Sequence, residues 1–551
     1  MTHRPAARKF SRLVLALALA APLVASGLVR AGRAARQQPA YDLLIVNGRV
    51  VDGTGNPWFR ADVAVKDGRI ARIGRIAPGE ARAVLDARGA VVAPGFIDVH
   101  THAEGVFRQP DAANFVRMGV TTLVTGNCGS SATEVGEFLG RIRETPLAVN
   151  LATLIAHGSV RQKVLRLENR APNGDELRQM EEIVERGMRE GAVGFSTGLI
   201  YVPGTYAKTD EVVALAKAAA RHGGLYATHM RDEGERVREA IAEAIHVGEA
   251  AGMPVDISHF KISNKRLWGQ SSETIGMVRA ARARGLSVTV DQYAYTASST
   301  SLDSRLPSWV LEGGREEGKR RLADPAARAR VAAEMKGALK RSAQKDYSFA
   351  YVASYAARPE YNGKNILEIT KLARGKKDTD SQIEQILEMY AAGGAGMIYH
   401  SMDERDVQTI MREPFTMIAS DAGVRRPGDG VPHPRGTGNN ARVLGRYVRE
   451  LKIVTLEDAV RKMTSLPAQT FALRDRGLLR EGMAADIVVF DPDTIADRAT
   501  FEQPHQYPVG FRLVVVNGGV VFDGERATEA RPGLSLRGPG FVERPAAGAA
   551  R

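Results

Sequence analysis

Eight short apolar runs, each bounded by glycine, proline or a charged stretch, punctuate the middle of the chain: 95–100 (GFIDVH), 119–125 (GVTTLVT), 147–154 (LAVNLATL), 191–196 (GAVGFS), 224–229 (GLYATH), 253–259 (MPVDISH), 285–291 (GLSVTVD) and 415–420 (FTMIAS). Runs of this length that lack polar alternation suit strands buried on both faces. Between most of them the period lengthens to that of an amphipathic helix, at 176–190, 210–222, 236–251 and 273–284. Several of these stretches close on a glycine suited to end a helix. Buried strands alternating with amphipathic helices predict an α/β fold with a parallel sheet. Eight units predict a closed, TIM-like (β/α)8 barrel, whose reactive groups stand at the C-terminal ends of the strands.

The chain ends follow a different period. Short alternating strands with turns fill 41–94 (LLIVNGRVVDGTG, DVAVKDGRIARIG) and return at 484–522 (AADIVVFD, LVVVNGGVVFDG). The pattern predicts a small β-sandwich assembled from both ends, residues 39–94 and 471–525, beside a barrel over 95–470. Between the seventh and eighth strands lies an insertion at about 302–405, far longer than an ordinary connection. It reads either as a lid over the barrel mouth or as a separately folded insert. Residues 526–551, rich in Gly, Pro, Ala and Arg, predict a flexible tail.

Six side chains standing at or just past strand ends carry candidate chemistry: His100, His102, Cys128, His229, His259 and Asp421. His100 and His102 are two apart, so on an extended chain both imidazoles face the same side. Cys128 is the only cysteine, so it forms no intramolecular disulfide, and its setting Gly126-Asn127-Cys128-Gly129 puts a thiol in a tight turn. His229 and His259 end successive strands, and Asp421 follows the last one directly. Imidazole and thiolate are good zinc donors, and zinc with an open coordination position lowers the pKa of bound water to about 7. The expected chemistry is metal-assisted hydrolysis, with Asp421 as a carboxylate that needs a partner or solvent.

From about residue 41 to about residue 525 the chain resembles the amidohydrolase superfamily, and within it the N-acyl-D-amino-acid deacylases. The motifs are PGFIDVHTH, GNCGSS, GFSTGLIYVPG, THMRDEG, ISHFK, DQYAYTASST and SDAG followed by HPR. The resemblance implies one tightly held zinc on Cys128, His229 and His259, a weaker second position near His100 and His102, and Asp421 as the catalytic carboxylate, serving as general acid and base. Many members of the wider superfamily carry a carboxylated lysine at the end of the fourth strand, where this chain has Ser196 and Thr197; the cysteine is expected to take over its work. The resemblance also points to Tyr201 or Tyr293 as the oxyanion donor, to Lys261 and Arg435 as grips for the substrate's α-carboxylate, and to Ser298 or Ser299 as an added hydroxyl. It implies hydrolysis of linear N-acyl-D-amino acids; the alternatives are a dihydropyrimidinase-like or dipeptidase activity, or a barrel that binds zinc without catalysis.

Gly194-Phe195-Ser196-Thr197-Gly198 matches the nucleophile elbow of serine hydrolases, but that motif needs a sharp strand-to-helix turn. The following Leu-Ile-Tyr-Val-Pro-Gly does not suit the opening of a helix. Residues 1–12 are basic and precede an apolar run from Leu13 to Ala25, too short for a membrane span of about 20 residues, which reads as a secretory signal with cleavage after Ser26 or toward Ala35. The expected location is periplasmic or extracellular. The chain has 551 residues, a pI near 9.7 and a formal net charge of +13, which falls to +6 once the seven Arg and Lys of residues 1–38 are set aside. That charge, spread over a large catalytic domain, calls for no nucleic-acid partner and mildly favours small anionic substrates.

Overall fold

The computed structural model describes residues 39–543. The export segment expected over residues 1–38 lies outside them, as do residues 544–551. Each apolar run contains a strand: β1 (Phe96–Asp98), β2 (Val120–Thr125), β3 (Asn150–Thr153, continued by Ile155–Ala156), β4 (Gly194–Gly198), β5 (Leu225–His229), β6 (Val255–Ile257), β7 (Val288–Gln292) and β8 (Thr416–Ile418). Neighbours pair in parallel all the way round. The ring closes just past β1 and β8, where Thr101–His102 pairs with Ala422–Gly423 and the Asp421 N–H donates to the His100 carbonyl at 2.9 Å. The expected barrel is the fold of the chain. Its helices include Gly174–Arg189, Thr209–Ala220, Val237–Ala251 and Ser271–Ala283. The first starts at Asn173, whose side chain accepts from the Asp175 and Glu176 N–H groups while Glu176 reaches back to the Asn173 N–H. Ile97, Val124, Ala152, Leu154, Ala227 and Met417 fill a buried cluster at the barrel's interior.

The two chain ends meet through one strand. Val91–Pro94 pairs in parallel with Tyr41–Val50 on one side and antiparallel with Ile487–Phe490 on the other, so hydrogen bonding runs unbroken from end to end. The expected sandwich is therefore one branched sheet of eight strands, with Val63, Val92, Ile487 and Val515 among the residues of the core it encloses. The insertion starts earlier than expected: Ser298–Ser301 already pairs with Gly396–Tyr399, which also pairs with Ala350–Ser354. Leu302, Val331, Met335, Ile366, Ile386 and Met397 give it a core of its own.

Residues 526–543 are not a free tail. They run along the N-terminal rim of the barrel, with N–H groups of Gly533, Leu536, Gly538 and Val542 donating to the carbonyls of Leu147, Leu151, Gly191 and Arg189 at 2.8–3.0 Å. Composition misleads here because the glycines serve close approach: a Cβ on Gly533 or Gly538 would lie 2.1 Å from the Val149 or Ala192 carbonyl oxygen. No helix among the described residues is long and apolar enough to cross a membrane.

Candidate metal centre

The ends of β1, β2, β5, β6 and β8 bring all six candidate side chains to one place. His100, His102 and Cys128 form one convergent set of donor atoms, Cys128, His229 and His259 a second, and His100, His259 and Asp421 a third, each spanning no more than 4.8 Å. Cys128 Sγ is 3.2 Å from His100 Nε2 and 3.5 Å from His259 Nε2, and His259 Nε2 is 2.8 Å from His229 Nδ1. Tetrahedral zinc with bonds of about 2.0–2.3 Å separates its ligands by about 3.3–3.7 Å. The Cys128–His259 spacing fits that geometry, the Cys128–His100 spacing falls about 0.1 Å short, and His229 and His259 need to open by about half an ångström.

Aiming these groups across the axis strains the backbone. Cys128, His259 and Asp421 all occupy left-handed conformations, with φ of 53°, 36° and 51°. A non-glycine residue pays about 1 kcal/mol or more for this, and such positions cluster where function over-determines them. Around Cys128 the turn depends on glycine: a Cβ on Gly126 would meet the Leu154 carbonyl oxygen at 2.5 Å, and one on Gly129 the Gly198 nitrogen at 2.7 Å.

Burial pushes the Cys128 thiol up, but His100 and His259 outweigh it and bring the thiol well below its usual range. Burial likewise raises the Asp421 carboxyl, while Arg435 and His100 hold it well below the usual carboxylate range. Asp421 Oδ1 lies 3.2 Å from His102 Nε2 and 3.7 Å from His100 Nε2, and Oδ2 lies 2.8 Å from Arg435 Nη1. The carboxylate is thus anchored at one oxygen and turned toward the donor cluster with the other.

Two acidic residues escaped the sequence reading. Asp291, at the end of β7, has Oδ2 3.1 Å from His100 Nδ1 and accepts from the His259 N–H at 2.9 Å. Its place at the close of the seventh apolar run (GLSVTVD) was the available signal. Glu233, in the loop after β5, contacts His259, His229 and Lys261; nothing in the local pattern marks it.

The other expected residues gather around the same centre with altered partners. Lys261 lines the cavity, but its Nζ donates to Glu233 Oε1 at 2.5 Å and lies 2.8 Å from His259 Nδ1. Arg435, 4% exposed, stands behind the cavity wall against Asp421, with the Tyr293 ring 4.5 Å away; its backbone N–H donates to His433 Nδ1 at 3.0 Å. Its Nη1 is 2.8 Å from Asp421 yet makes no well-directed hydrogen bond. Tyr201 packs its edge on His229 and shares a hydrogen bond with Thr300, while the Tyr293 hydroxyl points at Met402 Sδ, 3.6 Å away. Burial raises both phenols well above 10, so both remain proton donors. Ser298 lines the cavity; Ser299 also reaches it, with its hydroxyl donating to the Met397 carbonyl at 2.8 Å. Ser196 lies inside β4 with its hydroxyl on the Gly126 carbonyl, and His433 donates to the Ala297 carbonyl, so Ser196 and His433 do not pair.

Above the centre opens a cavity of about 790 Å³, walled by barrel loops and by insertion residues that include Arg305, Leu339, Tyr347 and Phe349. The insertion is both a folded unit and part of the site.

The amidohydrolase family model matches residues 83–522. D-aminoacylase from Alcaligenes xylosoxydans xylosoxydans is 37% identical over 520 residues, covering 90% of this chain and 97% of that protein. N-acyl-D-glutamate deacylase from the same organism is 36% identical, covering 91% and 97%. The crystal structure of N-acyl-D-glutamate deacylase from Bordetella bronchiseptica, complexed with zinc and a phosphonate mimic of the tetrahedral intermediate, superimposes with a TM-score of 0.77 at 35% identity, over 90% of this chain and 99% of that one.

Proposed function

This chain belongs to the amidohydrolase family, and on that premise we propose that it is a zinc-dependent deacylase, cleaving N-acyl-D-amino acids to a carboxylate and a free D-amino acid. The observation that carries this reading is the Asp421 carboxylate, anchored by Arg435 and facing a cluster of one thiol and four imidazoles. Cys128, His229 and His259 would hold the tight zinc, with His100 and His102 beside it. When bound, zinc supplies a Lewis acid and lowers the pKa of water to about 7.

The chain's own groups do the rest. Asp421 Oδ1 accepts the proton of the attacking water and returns it to the departing amine nitrogen, while Oδ2 stays on Arg435. A Tyr201 or Tyr293 hydroxyl donates to the oxygen that gains charge. Lys261, at the cavity wall, meets the α-carboxylate, while Arg435 stays on Asp421 behind that wall. With the amide carbon and the α-carboxylate both fixed, only one enantiomer directs its side chain into the open cavity. Arg305 supplies a preference there: it stacks on Tyr399 at 4.4 Å and has no acidic partner among the described residues, so an acidic side chain suits it.

Zinc-loaded protein assayed on the N-acetyl D- and L-forms of glutamate, aspartate, leucine and methionine tests both levels. The D-forms should react at least about a hundredfold faster, near 2.7 kcal/mol. N-acetyl-D-glutamate or N-acetyl-D-aspartate should exceed N-acetyl-D-leucine, and Arg305→Ala should erase that second preference alone. Equal rates on enantiomers would sink the D-specific reading; equal rates on acidic and apolar side chains would remove the role of Arg305. The basic and apolar N-terminus supports export to the periplasm or beyond, which cell fractionation checks.

A further inference from the structure

Glu233 sits four residues past β5, before the helix Val237–Ala251, with its side chain one-tenth exposed. Its Oε1 lies 2.9 Å from His259 Nδ1 and 3.7 Å from His229 Nε2, and accepts from Lys261 Nζ. Those ring nitrogens are the ones turned away from the centre, because His259 Nε2 and His229 Nδ1 are the atoms that face each other at 2.8 Å. A neutral imidazole that ligates through one nitrogen carries its proton on the other, and the acceptor of that proton fixes both the tautomer and the angle of the ring. His229 Nε2 is buried without a hydrogen-bond partner. A movement of about half an ångström toward Glu233 would bring it within hydrogen-bond range, the same size of adjustment that the crowded pair needs to admit a metal ion.

We propose that Glu233 is a positioning residue for the metal centre: one carboxylate orients the rings of both His229 and His259 and holds Lys261 in place beside them. The inference rests on the zinc reading above. It differs from a simple ion pair with Lys261, in which the histidine contacts would be incidental.

The test measures zinc affinity by competition with a chromophoric chelator, and the visible spectrum of the cobalt-substituted protein, in the parent, Glu233→Gln, Lys261→Met and the double variant. Glu233→Gln should weaken zinc about 10- to 100-fold and shift the cobalt bands. Lys261→Met should leave affinity within about threefold, and Glu233→Gln should keep its full effect in the Lys261→Met background. Unchanged affinity and spectrum in folded Glu233→Gln would overturn the proposal, as would an effect that vanishes once Lys261 is gone. If Glu233→Gln fails to fold, Glu233→Asp carries the same comparison with a shorter reach: an intermediate loss supports the proposal and none overturns it. A parent protein that binds no zinc would instead defeat the metal reading itself.

Discussion

Replacing Asp421 by asparagine separates proton transfer from metal binding. The substitution keeps size and shape but removes the proton acceptor that lies 3.2 Å from His102, as well as the counter-charge 2.8 Å from Arg435. A positioned acid and base contributes about 10²- to 10⁴-fold, so kcat should fall by at least about a hundredfold, near 2.7 kcal/mol. Stability should fall too. Both partners of the Asp421–Arg435 pair are nearly buried, and removing one member of such a pair costs about 3–5 kcal/mol because the other charge is left uncompensated. Zinc content should survive, because Cys128, His229 and His259 are untouched. Turnover is read by amine release from an N-acetyl-D-amino acid, metal by elemental analysis, and folding by thermal melting, all on one preparation. A folded, zinc-replete variant with kcat within about tenfold of the parent would refute the acid–base role; zinc lost in step with activity would make Asp421 chiefly a ligand.

Changing Cys128 to serine should strip most of the tightly bound zinc and most activity, since a hydroxyl is a far poorer zinc donor than a thiolate; about one zinc per chain with full turnover would remove the thiol from the ligand set. Lys462 is fully buried near Asp458, and burial lowers it to about 8. Its folded value lies below the unfolded one, so the unfolded chain binds more protons between about pH 8 and 10.5 and stability should rise through that window, by about 3 kcal/mol. Denaturation of the parent against Lys462→Met across that range checks it, and a pH-independent difference would contradict it. Gly538→Ala forces a Cβ to within 2.1 Å of the Ala192 carbonyl oxygen; the variant should lose about 1–3 kcal/mol, whereas an unchanged melting temperature would mean the terminal strap contributes nothing.

The sequence by itself determined the barrel and the membership of its centre. Buried strands write themselves as unbroken apolar runs, and the residues at or just past a strand's end have a fixed address on the barrel, so His100, Cys128, His229, His259 and Asp421 could be brought together without coordinates. It also determined that no helix opens directly after Gly194–Gly198, because the residues that follow do not suit one. Tertiary structure alone decided who pairs with whom. Lys261 and Arg435 were legible as cations near the site, yet one is held by Glu233 and the other by Asp421. Asp291 behind His100 joins residues 191 positions apart, and the strap over 526–543 lies against strands whose sequence shows no trace of it. The reason is physical: periodicity reports the environment each residue needs, one residue at a time, whereas a buried charge or a close-packed glycine takes its meaning from whichever distant atom the completed fold sets against it.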